Sequence, residues 1–300
     1  MKSNGFEEMV AIQLVVRYWP GQAKLSAEDL GLKEDEIPEI FRLGNKRLYP
    51  EEWRQTFNQL AGKARSYLNN HSFPFVVEYV RAIPKRNLAR MVKRLEELKA
   101  EYLAKAEEFV QHYEAIQDQW REKYADIWPR LAPHYPTKSQ LRRKFDFFWN
   151  VFYIKGAEIK EGSAPEIIAA YEQAKSDLEA RYQEMVEEAV VYLRKKVLEV
   201  VTNLSGRLKE GRIVRNDTLE SVRRVDGWFK DLNIFGDTKV EQTLAKLRSV
   251  LNGTDYEALK DNEALKNQLA GLADQVAAVA GKLDDVSEIS GKYKRMIDLS

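Results

Sequence analysis

Two long stretches in which apolar side chains return every three or four residues set the strongest limit on the fold. In the first, from Pro84 to about Trp128, Leu88, Met91, Val92, Leu95, Leu98, Leu103, Phe109, Val110, Tyr113, Ile116, Trp120, Tyr124 and Ile127 recur mostly at helical spacing. The second opens at Ser163-Ala164-Pro165-Glu166, where a serine precedes a first-turn proline and Glu166 completes a capping box. It runs to about Leu204, with Tyr171, Ala174, Leu178, Tyr182, Met185, Ala189, Leu193 and Val197 as its stripe. At about 1.5 Å per residue, each helix spans roughly 60 Å. Two such helices, joined by a proline- and aromatic-rich insertion at residues 129–163, are expected to pack as a long antiparallel coiled coil and to pair with a second copy as a homodimer. Charged residues make up 32% of the 300, against only 15 Gly and 9 Pro, which again favours long exposed helices.

The expected fold is therefore mainly α, in three parts. Residues 1–83 read as a small α+β unit. Within it, AIQLVVRYWPGQAKL suggests a short hairpin about Pro20-Gly21 or an edge strand, Ser26 caps an acidic first turn, a helix runs from about Pro50 to Leu68, and VVEYV (76–80) offers a strand. Residues 84–204 form the coiled coil. Thr137 and Ser139 cap a shorter element, KSQLRRKFDFFWNVFYI, in its insertion. Residues 205–300 read as a basic helical region followed by tail helices.

Charge supplies the functional signal. The chain carries 48 basic and 47 acidic residues, so a local imbalance stands out. From Val191 to Lys230 there are ten Lys and Arg against five acids, in a region where the helical pattern breaks at Ser205-Gly206 and again at Gly211. Helix ends and glycine turns present backbone N–H groups beside Arg side chains, an arrangement suited to phosphate. Arg207, Lys209, Arg212, Arg215, Arg223 and Arg224, with Trp228 beside them, are the candidate RNA contacts; the same residues also fit a solvated charged face. Arg142, Arg143 and Lys144, just before FDFFWNVFYI, and the cluster Lys46, Arg47 and Arg54 are secondary candidates for nucleic acid. The aromatics after Lys144 are too apolar to leave in water and read as core.

Catalytic signatures are missing. There is no cysteine, and His71, His112 and His134 have no second ligand at metal spacing. P-loop, dinucleotide and nucleophile-elbow motifs are absent, and pairs such as Glu96-Glu97 and Glu187-Glu188 lie in helical pattern beside Lys or Arg. The expectation is a protein that is not an enzyme, with no cofactor and no metal. No run of about 18 apolar residues occurs, and MKSNGFEEMV lacks the basic-then-apolar order of a secretory signal, so a cytoplasmic setting without membrane contact is expected.

The strings RYWPGQAKLSAEDLGL, RLGNKRLYP, ARSYLNNHSFPF and YADIWPRLAPHYPTKSQLRRKFDFFWNVFYI together resemble a phage- and mobile-element-associated family catalogued as a domain of unknown function. The order of a helical pair followed by a basic helical region is also similar to the Tas proteins, partners of tandem interspaced guide RNAs, which resemble the Nop proteins of box C/D ribonucleoproteins. That resemblance implies a dimerising coiled coil, then a Nop-like region that holds a short structured guide RNA and recognises target DNA through base pairing. Some Tas proteins carry a nuclease domain of His-Asn-His or RuvC type; this chain has neither, which implies a nuclease-free member. A coiled-coil scaffold or adaptor for a partner ATPase in a phage or plasmid module, without nucleic acid, is the alternative, and the near-neutral net charge favours it. A virion or assembly protein is a further rival.

Overall fold

The computed structural model describes residues 8–153 and 164–289; the expected capping Ser163 lies outside them. The elements are β1 (Met9–Arg17), β2 (Gln22–Lys24), β3 (Asn45–Arg47), α1 (Glu51–Asn70), β4 (Phe73–Pro74), β5 (Arg81–Pro84), α2 (Leu88–Lys123), α3 (Trp128–Leu131), α4 (Lys138–Arg142), β6 (Asp146–Tyr153), α5 (Pro165–Lys209), α6 (Asn216–Leu232), α7 (Thr238–Leu251), α8 (Tyr256–Lys260) and α9 (Glu263–Ala280). The protein is mainly helical with a small antiparallel component. One sheet has the order β4-β5-β1-β6, and β2 pairs with β3 in a separate ribbon. The chain forms two compact units, one from residues 1–12, 71–89 and 151–300, the other from 13–70 and 90–150.

The unit of residues 13–70 and 90–150 is held by an aromatic core. Phe57, Ala61 and Ala64 of α1 and Leu98, Tyr102, Ala106, Phe109 and Tyr113 of α2 are buried at the three- and four-residue spacing that puts them on one helix face. Tyr102, not Leu103, faces this core; Leu103 is exposed. Phe57 and Phe109 meet edge to face at 5.8 Å, and Phe57 lies 4.9 Å from Phe145, inside the 4.5–7 Å range where ring quadrupoles attract. Buried phenols still need acceptors: Tyr49 donates to the Trp19 carbonyl at 2.9 Å and Tyr113 to the Pro136 carbonyl at 2.8 Å. Thr137 and Gln140 form the capping box of α4, which ends after five residues. Past it, DFFWNVFY becomes strand β6, with Phe147 buried and Trp149 packed against the core two residues on, the alternation of a strand.

In the other unit, α5 and α9 form the central packing, with α6 and α7 against them. Leu193, Val197, Val201 and Leu204 of α5 share a core with Leu219, Val222 and Phe229 of α6, Val240, Leu244 and Leu247 of α7, and Leu269, Ala273 and Val276 of α9. Each of these Val, Leu and Phe side chains, fully buried, contributes roughly 1.5–3 kcal/mol. Short polar residues start the helices: Asp237 accepts from Val240 N at 3.3 Å, Asp255 from Ala258 N at 2.8 Å, and Asn262 from Leu265 N at 3.0 Å. The first residues of β1 pair antiparallel with β5, from Met9 opposite Pro84 to Ile12 opposite Arg81.

Several sequence expectations require correction. The long antiparallel coiled coil of α2 and α5 is not shown: Leu98 to Ile116 of α2 and Tyr182 to Leu208 of α5 belong to two different cores. Pro20-Gly21 does not join a hairpin, because β2 pairs with β3. Val76–Val80 is a turn, with Val80 N donating to the Val77 carbonyl at 3.2 Å and Tyr79 at φ 63°. Helix α5 also runs through Ser205-Gly206, where Ser205 Oγ donates to Asp274 Oδ1 at 2.6 Å, and the turn comes only at Gly211, φ 65°.

Gly21 sits at φ 55°, and a Cβ there would collide with the Tyr49 ring; Gly31, at φ 71°, faces open space. Gly21→Ala is expected to destabilise the protein by about 2–4 kcal/mol, left-handed strain plus overpacking. Gly31→Ala, with strain alone, should lose about 1–2 kcal/mol. Urea unfolding of both variants measures the difference.

Candidate nucleic-acid interface

The cations that define the basic stretch differ sharply in what they touch. Arg194, on α5, is 0% exposed. Its Nε donates to Asp237 Oδ2 at 2.6 Å, and its Nη1 donates to Asp285 Oδ1 at 2.5 Å and to the Lys282 carbonyl. Its Nη2 is buried without a partner among the described residues. This arginine is structural, and its charge does not reach the surface.

Arg223, on α6, has a similar assignment. Its Nη2 donates to the carbonyls of Leu251 at 2.8 Å and Thr254 at 2.5 Å, and Nη1 pairs with Glu220. Leu251 ends α7, so the guanidinium sits where helix carbonyls lack intrahelical partners and the dipole favours positive charge. Trp228 is half-buried against the core, with its ring 5.8 Å from that of Tyr192. That placement leaves part of its surface, not a free face, for stacking.

The remaining candidates are more accessible. Lys209 pairs with Asp274 at 2.6 Å, and this contact together with the Ser205 hydroxyl holds the Asp274 pKa below its usual value. Arg212 pairs with Glu210 at 2.6 Å. By contrast, among the described residues Arg207 donates to Asn203 Oδ1 at 3.1 Å and Arg224 to Ser221 Oγ at 3.1 Å, and neither meets a carboxylate. Arg215, the residue before α6, is exposed, as is Lys195 on α5, and neither meets a carboxylate among the described residues. Lys230 lies 3.7 Å from Asp226, a buried carboxylate that also accepts from Arg248 at 3.0 Å. Burial raises the Asp226 pKa in spite of that arginine.

In the other unit, the secondary cluster is largely neutralised. Lys46 donates to both carboxylate oxygens of Asp29 at 2.8 Å, and with the Ser26 N–H it brings the Asp29 pKa down to about 2. Arg47 and Arg54 share Glu51, at 3.2 Å from Arg47 Nε and 2.9 Å from Arg54 Nε. Arg142 pairs with Glu107 at 2.6 Å. Arg143 and Lys144 are exposed, with no carboxylate partner among the described residues.

Sequence reasoning did not identify the Arg194–Asp237–Asp285 group or the carbonyl contacts of Arg223. The partners lie 43 and 91 residues from Arg194 and 28 and 31 from Arg223, so no local pattern announces them. No group of three or more His, Asp or Glu among the described residues is placed to hold a metal ion, and none of their helices is long and apolar enough to cross a membrane.

Arg194→Ala would leave Asp237 buried and unpaired, so it is expected to lose about 3–5 kcal/mol, whereas Lys195→Ala, exposed, should stay within about 0.5 kcal/mol. The Arg194 contact lowers the Asp285 pKa from 3.8 to about 2. The folded form therefore holds this proton less tightly than the unfolded chain, and the stability it contributes above pH 4 is lost as pH falls towards 2. Acid unfolding of Asp285→Asn should show a weaker dependence over that window than the parent protein.

No curated protein and no solved structure matches the chain. The expectation of an uncharacterised domain family is met: the chain belongs to the family described as a protein of unknown function, DUF3150, which matches residues 6–278.

Proposed function

We propose that this is a non-catalytic RNA-binding protein whose α5–α6 region holds a short structured RNA. One observation carries the reading: Lys195, Arg207, Arg215 and Arg224 are at least partly exposed and meet no carboxylate among the described residues, in a stretch with ten cations and five acids. Guanidinium groups left uncompensated suit bidentate phosphate contact, with counterion release as the driving force. Following the resemblance to Tas and Nop proteins, the RNA is a guide, target DNA is recognised by base pairing, and the protein works as a homodimer. Arg143 and Lys144 are the remaining uncompensated cations of the secondary set and serve as contacts for a second strand.

A second reading, a protein scaffold without nucleic acid, is favoured by the extent of neutralisation elsewhere. Lys46, Arg47, Arg54, Lys63, Arg142 and Lys209 all face carboxylates, and the net charge is +1.

The test is to purify the protein at moderate salt from cells carrying its native locus, record the 260/280 nm absorbance ratio and sequence any bound nucleic acid. Discrete short RNAs are expected; a clean protein spectrum rejects the RNA reading and leaves the scaffold. With the RNA in hand, Arg215→Glu/Arg224→Glu should retain the fold and lose binding, and Arg215→Ala/Arg224→Ala should lower the slope of log affinity on log salt by about 2. Arg223 is unsuited to this test because it holds the end of α7.

A further inference from the structure

Where α5 ends, the chain turns at Gly211 and closes a cleft of about 220 Å³ against α8 and the start of α9. Leu208, Val214 and Leu259, all buried, give it an apolar lining. Two larger side chains line the cleft without being absorbed by the core. Ile213 is 60% exposed. Tyr256 is half-buried, and among the described residues its ring meets no other ring and its hydroxyl makes no hydrogen bond. The frame around them is fixed by hydrogen bonds: Arg212 N donates to the Arg207 carbonyl at 2.9 Å, and Tyr256 N donates to Asn216 Oδ1 at 2.8 Å, which ties the start of α8 to the start of α6. A cleft smaller than the roughly 300–1,000 Å³ of sites for drug-sized ligands takes one ring system, not a whole cofactor.

The cleft does not stand alone. Arg212 also lines a shallow groove of about 620 Å³ that runs back along α5 past Gly206 to Lys195. Every carboxylate lining the cleft or the groove is already paired: Glu263 with Lys266 and Glu210 with Arg212, both at 2.6 Å, and Glu199 with Lys196 at 3.2 Å. Asp255, Glu257 and Asp261, neighbours of Tyr256 and Lys260 in sequence, line neither. Lys260 in the cleft and Lys195 in the groove meet no carboxylate among the described residues. One uncompensated lysine therefore remains in each part, with a guanidinium where the two meet.

The occupant these features select has a flat ring for the cleft, an anion beside it, and further anions for the groove. A single strand of RNA meets all three, because an unstacked base can lie on an aromatic side chain while its backbone follows cations. A duplex keeps its bases stacked within and presents phosphates alone, which leaves Tyr256 and Ile213 without a role. Gly206 leaves the groove open beside the helix, where an added Cβ would meet only the Glu210 carboxylate at 3.9 Å.

We propose that the cleft between the α5–α6 turn and α8 receives one unstacked base of a single-stranded RNA segment, whose phosphates pass Arg212 and follow the α5 groove towards Lys195. This rests on the RNA-binding reading and adds to it that the RNA is single-stranded where it meets α5.

The probe is a short fluorescein-labelled oligouridylate, alone and annealed to oligoadenylate, titrated by anisotropy with the full chain after a high-salt wash. The single strand is expected to bind more tightly than the duplex. Tyr256→Leu and Ile213→Ser should each weaken the single strand at least about fivefold and leave the duplex unchanged, as the loss of a stacking contact requires. Tyr256→Phe, which keeps the ring and removes a hydroxyl that has no partner, should bind like the parent and separates stacking from a structural role. Lys195→Ala/Lys260→Ala should lower the slope of log affinity on log salt for the single strand by about 1.4. Ile213 and both lysines are exposed, so unchanged thermal unfolding is the folding control, and Ile213→Ser decides if Tyr256→Leu unfolds early. Absent oligouridylate binding, or binding indifferent to Tyr256→Leu and Ile213→Ser, overturns the cleft assignment. The RNA reading is judged separately, by the absorbance ratio and the copurifying RNA, and survives that result if discrete RNAs are recovered. A labelled glutamate-tyrosine peptide that binds in place of the strand and loses affinity with the same substitutions also overturns the assignment, since the cleft would then take a protein side chain.

Discussion

The buried guanidinium of Arg194 is the constraint around which the helical unit is arranged. Removing such a cation from water costs several kcal/mol unless it is met by charge and hydrogen bonds. Here two separate segments supply them: the residue before α7, through Asp237, and the chain after α9, through Asp285 and the Lys282 carbonyl. Asp237 has two roles, since its second oxygen accepts from Val240 N and starts α7. The position of α7, the register of α5 and the course of the chain beyond Ala280 are thereby linked through one side chain. Lys239, which reaches Asp285 at 2.7 Å, completes the charge balance at the edge of the site.

Periodicity made the helices legible but not their partners. The stripe of α2 is plain in the spacing of Leu95, Leu98, Phe109 and Tyr113, and the start of α5 in its first-turn Pro165. A stripe says which face is buried, and nothing about what covers it. The core against α2 is built by Phe57 of α1 and Phe147 of β6, elements whose own signals are short or ambiguous. Val76 to Val80 is β-branched enough to suggest a strand, yet it lies in the turn that brings β4 onto β5. Ser205-Gly206 has the composition of a break, but the Ser205 hydroxyl is satisfied by Asp274 on α9, so tertiary contact outweighs local preference.

The site was legible as a count of charges and not as a surface. Ten cations between Val191 and Lys230 include one that is fully buried, one that ties down the end of α7, one that faces a carboxylate of α9, and others paired with carboxylates a few residues away. Only the rest constitute a surface field. The near-zero net charge likewise conceals a division of labour, because a positive stretch in one unit is balanced partly by the carboxylates from Glu28 to Glu39 in the other. Averages over the chain cancel the features that distinguish its faces.

The threading of the chain through its two units has a consequence for how the molecule is made. Neither unit is a continuous stretch: β1 and β6 each leave one and enter the other, and the helical unit uses residues from before, between and after those of its neighbour. On the ribosome, everything required by the unit of residues 13–70 and 90–150 has emerged before α5 exists. Met9, Phe73 and Ala82, which belong to the core of the helical unit, must wait in solvent until the last helices arrive. Folding is thus ordered by synthesis, inner unit first, with the early strands held as an unfinished apolar edge in the interval.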